Sequence, residues 1–167
     1  MIKISRILLL FFLLSVSVFA NEPLITKEKA PLSVALPLLK SIDQHAIVIG
    51  SGPTHMYAFI DPVCPRSREF VSMIVESAKM QERYTYHFFY YELTRFHSKN
   101  LIGTVYSAKN PLDMMKTVMV DAKEVSVLTT FSSAITKEIN AIADVAEKLD
   151  IYKRPYLFVV KPQKGGQ

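Results

Sequence analysis

The sequence holds one cysteine, Cys64, in 167 residues. A lone thiol excludes an internal disulfide and leaves three fates for the sulfur: free and reactive, paired with another molecule, or buried and inert. Metal-ligand patterns are missing too. His45, His55, His87 and His97 lack ligand spacing, and there is no Cys/His cluster for zinc. Gly50-Ser51-Gly52-Pro53 has no following helix and lysine, so it reads as a turn and not a phosphate loop. No basic run is interleaved with aromatics, so the net charge of +5 carries no nucleic-acid footprint. No internal repeat is visible, and no apolar run reaches the ~20 residues needed to cross a bilayer.

The longest apolar run, Ile7 to Ala20, has about 14 residues and follows Lys3 and Arg6. It closes on Val18-Phe19-Ala20, the pattern of a cleaved secretory signal and not of a retained anchor. No cysteine stands just after it to carry a lipid. The expected division is a signal peptide over 1–20, a lead-in segment over 21–45 and one domain over 46–167. A mature chain starting near Asn21 loses Lys3 and Arg6, which takes the net charge from +5 to +3. About 147 residues remain, enough for one sizeable core. The expected route is therefore secretion into an oxidising compartment, with no stable membrane anchor after cleavage. An exposed thiol would not be left alone in so oxidising a place.

Residues 21–40 hold three prolines and predict at most one short helix. The apolar run over 46–53 predicts a strand and a turn, and His55 to Asp61 predicts a second, central strand close enough to pair with the first as a hairpin. From Pro65 the period becomes helical through Phe70, Val71, Ile74, Val75 and Ala78, ending near Met80. Tyr84 to Leu93 predicts an aromatic strand in which His87 is a sheet residue. Two short helices follow, the second with Pro111 in its first turn. A longer helix is predicted from Ile135 to Leu149 and a last strand from Arg154 to Val160. This order implies an α/β sheet with helices packed on it, and puts Cys64 at the carboxyl end of a central strand, where such sheets place their sites.

Cys64 lies in "FIDPVCPRSREF", at the start of the helix that opens with Pro65. The unpaired N–H groups and dipole of a helix start favour the thiolate, which is the attacking form. Pro65 suits the first turn because its missing N–H costs nothing there. Arg66 and Arg68 add cations, and Ser67, one turn on, can offer its hydroxyl to the sulfur. These features predict an accessible, activated thiol; the competing reading is a buried cysteine acting as a small hydrophobe.

The stretches "YAFIDPVCPRSREF" and "VAEKLDIYKRPYLFVV", with the aromatic strand and helical segment between them, resemble the catalytic domain of the bacterial periplasmic disulfide isomerases, the DsbC/DsbG group. The resemblance covers roughly residues 46–161 and implies a thioredoxin-like fold with a helical insertion. The family's final strand and helix are not in this sequence, so either the sequence is truncated or the last strand leaves an edge for something else to cover. The resemblance also implies the periplasm as the compartment. It implies that Cys64 matches the attacking cysteine of a Cys-x-x-Cys pair. It also implies that Pro155 matches a cis-proline, with Arg154 presenting its N–H and C=O to an extended client segment and adding a second positive charge near the sulfur. Ser67 stands where the second cysteine is expected, so no self-resolving dithiol cycle is available. The implied activity is disulfide shuffling or capture on periplasmic clients with cysteines or disulfides, with a separate thiol reductant as a further partner and no cofactor or metal. The alternative is a redox-inactive binding or chaperone module on the same fold; a monothiol reductase would need a glutathione-like partner.

Overall fold

The computed structural model describes residues 27–162. The expected signal peptide and the start of the mature chain lie outside that range. Among the described residues, four strands and six α-helices follow one another as α1 (Leu32–Ser41), β1 (Ile47–Ile49), β2 (Thr54–Ile60), α2 (Pro65–Val75), α3 (Ala78–Arg83), β3 (Tyr84–Tyr90), α4 (Lys99–Ser107), α5 (Pro111–Met119), α6 (Ser133–Lys148) and β4 (Tyr156–Val160). The sheet order is β1-β3-β2-β4. β2 runs parallel to β3, and the other two pairs are antiparallel.

The expected β1–β2 hairpin does not form; β3 lies between the two strands. β2 is apolar enough to need a neighbour on both sides, and it has β3 and β4. Gly50 to Pro53 arches over the start of β3. A Cβ on Gly50, whose φ is +86°, would collide with the Tyr84 carbonyl oxygen, and one on Gly52 with the Arg83 carbonyl carbon. Only glycine permits so close a passage. Hydrogen bonds from Ser51 N to the Gln81 carbonyl (2.9 Å) and from Thr85 Oγ1 to the Gly52 carbonyl (2.7 Å) hold the arch down.

The helix expected to run on to Met80 breaks into α2 and α3, because Ser77 caps a new helix by accepting from Met80 N. β3 stops at Tyr90, and β4 starts at Tyr156, two residues after Arg154. α1 arises in the lead-in segment and buries Ala35 and Leu39 in the same core as the sheet. Successive strand residues face opposite sides. Tyr86 and Phe88 meet Phe70 of α2 edge-on at 6.2 Å on one side. On the other, Tyr57 and Phe89 stack at 6.3 Å.

His87 of β3 belongs to that second face. Its ring stacks on Tyr57 at 4.5 Å, its Nε2 lies 2.9 Å from His55 Nδ1, and its Nδ1 lies 2.7 Å from Asp43 Oδ1. Lys40 Nζ reaches the other Asp43 oxygen at 3.3 Å. Burial holds the His87 pKa below its ordinary value; Asp43 opposes that shift and His55 adds to it. A histidine kept neutral by the fold binds fewer protons folded than unfolded. Its contribution is thus fully favourable above the unfolded value near ~6.5 and is lost as pH falls below it. Urea titrations from pH ~7 to ~5 should show stability falling for the unaltered chain and a flatter profile for His87→Gln. Glu138, raised by burial with His45 opposing, is common to both proteins and cancels in the comparison.

Candidate functional site

β2 ends at Ile60, and the chain turns through Asp61-Pro62-Val63 into α2 with Cys64 at the N-cap and Pro65 at the first helical position. Cys64 has extended backbone (φ −68°, ψ 119°), and its carbonyl accepts from Arg68 N at 3.0 Å. No side chain, the Cys64 sulfur included, accepts a capping hydrogen bond from the helix start. Cys64 is free and only 3% exposed. The accessible thiol expected from sequence is instead a largely covered one, which still lines a cavity of about 410 Å³ with Arg66, Leu93, Lys153 and Arg154.

The Arg154–Pro155 peptide bond is cis, and the Cys64 thiol donates to the Arg154 carbonyl at 3.8 Å. The loop before β4 and the start of α2 therefore meet at the sulfur, although they lie 90 residues apart. The Arg154 group in hydrogen-bond contact with the sulfur is its carbonyl. Its guanidinium is turned into backbone: Nε donates to the Tyr91 carbonyl at 2.6 Å, Nη2 to that of Glu92 at 3.1 Å, and Nη1 to those of Lys153 at 2.8 Å and Ile151 at 3.4 Å. It also lies 4.1 Å from the centre of the Tyr91 ring. Burial brings the Arg154 pKa down to about 10, partly offset by Tyr91, Asp61 and Cys64, so it stays charged at neutral pH. Arg154→Met should leave these carbonyls short of donors and cost about 3 kcal/mol, read from the urea midpoint at unchanged slope.

The other nearby residues divide in role. Arg66 is exposed at the cavity rim. Arg68 is turned away, donating to the carbonyls of Val118 (3.0 Å) and Met119 (3.4 Å). Ser67 is fully buried, and its hydroxyl accepts from Asp61 N at 3.2 Å, so it joins the turn before the cysteine rather than the sulfur.

Asp61 is the residue that sequence reasoning passed over. It is 0% exposed, yet every lone-pair direction is used: Oδ1 accepts from Val63 N (2.8 Å) and Cys64 N (3.3 Å), and Oδ2 from Leu93 N (2.7 Å) and Ser98 Oγ (2.8 Å). One carboxylate thus fixes the cysteine turn, the segment after β3 and the residue before α4. That segment is bracketed, with the Tyr91 and Glu92 carbonyls on Arg154 and the Leu93 N–H on Asp61. An Asp-Pro pair just after a central strand and just before the cysteine was the available signal, since an acid there can only be buried with donors around it.

No group among the described residues can hold a metal ion, and none of their helices is long and apolar enough to cross a membrane. No family model matches the sequence, and no curated protein matches it. Solved structures do match the fold. ScsC from Proteus mirabilis, in a compact conformation, superposes with a TM-score of 0.61 at 12% identity, over 81% of this chain and 74% of its own. BcfH from Salmonella enterica Typhimurium gives 0.52 at 13%, over 80% and 71%. A disulfide interchange protein from Neisseria gonorrhoeae gives 0.52 at 15%, over 72% and 89%. With β2 and β3 joined in parallel through α2 and α3, antiparallel strands on either side and helices inserted before β4, this chain has a thioredoxin-like fold.

Proposed function

We propose that this protein is a periplasmic thiol–disulfide exchange protein that works through one sulfur. The observation that carries the reading is the meeting of Cys64, at the N-cap of α2, with the Arg154 carbonyl of the loop before β4. One of the structural neighbours is itself described as a disulfide interchange protein, which supports the same chemistry here. The Cys64 thiolate attacks one sulfur of a client disulfide, a new S–S bond forms, and the other client sulfur leaves as a thiolate. A second client thiolate, or a separate reductant, then attacks the client sulfur of the mixed disulfide and restores Cys64. In the first route the client keeps its number of disulfides. In the second the client sulfur is left bonded to the reductant, whose other thiol then frees it, so the client loses one disulfide and the reductant gains one. Pro65 and Arg66 shape the rim of the site, while Ser67 leaves the intermediate without an internal escape.

Acid-trapping of the full chain with a disulfide-bonded periplasmic extract, followed by non-reducing electrophoresis, tests the reading. Thiol-sensitive adducts should form with the unaltered protein and vanish with Cys64→Ser; equal adducts from both would refute it. The burial of Cys64 favours a second reading, a binding module that has given up redox chemistry. That reading requires Cys64 to alkylate in the folded protein no faster than a buried thiol exposed only by unfolding.

A further inference from the structure

The cavity at Cys64 is lined by four cations, Arg66, Arg95, Lys153 and Arg154, and by no carboxylate. It shares Tyr152 and Lys153 with a second groove of about 430 Å³, which runs along the start of β4 and contains Lys27 and Lys29. Much of this charge is uncommitted. Arg154 is spent on backbone carbonyls, and Lys27 pairs with Asp150 at 2.8 Å. Arg66, Arg95, Lys153 and Lys29 have no carboxylate partner among the described residues. Lys29 donates to the Leu157 carbonyl, and burial followed by repulsion from Lys153 makes its charge harder to keep. Of the acids close by, Asp150 pairs with Lys27, Asp61 is buried with its oxygens filled, and Glu92 receives Lys99 N at 3.1 Å; none of the three lines either cavity.

From this charge pattern we infer that the site selects client segments with aspartate or glutamate beside the reacting cysteine. The inference rests on the thiol-exchange reading and adds the class of client to it. A segment crossing the sulfur and lying along both grooves would meet cations on either side, so an acidic one gains where a basic one is repelled. The aromatic floor of Tyr152 and Tyr156 supplies contact area without charge of its own.

Two peptides of equal length test this, each with one cysteine flanked on both sides by aspartates or by lysines, and each activated as a 2-pyridyl mixed disulfide. Cys64 displaces pyridine-2-thiolate: its sulfur bonds to the peptide sulfur, the S–S bond to the pyridyl group breaks, and the Cys64 proton passes to solvent. Rates with the full chain are divided by those with 2-mercaptoethanol to remove the intrinsic reactivity of each peptide. The aspartate peptide should react about 10-fold faster or more at low ionic strength, and the ratio should approach one as salt is added. Lys153→Glu should cut the ratio several-fold, and Arg95→Glu should do the same if the first variant folds poorly. Equal normalised rates, or a faster lysine peptide, overturn the charge selection while leaving thiol exchange standing. Release no faster than from Cys64→Ser overturns both.

Discussion

Replacing Ser67 by cysteine should shorten the life of a mixed disulfide on Cys64 by about 100-fold or more, because the resolving thiol becomes part of the same helix turn. The new thiolate would attack Cys64 Sγ, close a disulfide between positions 64 and 67, and release the client as a free thiolate. The variant would then need an external reductant for each turnover, whereas the unaltered protein would need only another thiol to release its client. Ser67 lies three positions after the N-cap cysteine and is fully buried, so the added sulfur sits beneath the site and not on its surface. The cost is the hydrogen bond from Asp61 N, about 1 kcal/mol. Decay of a preformed adduct with a model peptide, followed by intact mass, reads the effect. Unchanged decay would mean that residues 64 and 67 cannot meet and that the site does not have the exchange geometry proposed.

Asp61→Ala should have the largest effect on stability, a loss of about 4 kcal/mol or more, against the ~5–15 kcal/mol that holds an ordinary domain together. The Val63 and Leu93 N–H groups and the Ser98 hydroxyl lose this acceptor, and Cys64 N is left with the Asp61 backbone carbonyl at 3.2 Å, around a carboxylate that is itself fully buried. Arg154 also loses a nearby negative charge. Asp61→Asn should recover part of the loss, since its oxygen still accepts, but its NH₂ faces donors where the second carboxylate oxygen was. Chemical denaturation of the two variants reads the order, alanine below asparagine below the unaltered chain. An alanine variant within about 1 kcal/mol of the unaltered chain would show that this network is not what fixes the cysteine turn.

Much of the secondary structure was legible because it depends on neighbours in sequence. Ile135, Ile139, Ile142 and Ala146 repeat at helical spacing, and α6 lies where they predict it. Pro111 opens α5, and its Asn110 cap accepts from Asp113 N. The failures came where a distant partner decides. Glu76 continues the helical pattern, but Ser77 ends it by serving the next helix. Ser67 was expected at the sulfur and is held by Asp61 N instead. Arg154 was expected to lend its charge to the thiol; that charge does lie near Cys64, but its N–H donors are taken by the carbonyls of Tyr91 and Glu92.

The sequence by itself determined that the single thiol begins a helix after a central strand. It determined equally that the sequence holds no second cysteine to pair with it. A helix start and a missing residue are local facts. Tertiary structure alone decided the strand order, the covered state of Cys64 and the pairing of Asp61 with Leu93 and Ser98 and of Arg154 with Tyr91. These contacts join groups 32 to 90 residues apart, and a buried polar group takes whichever partner the packed chain brings within reach.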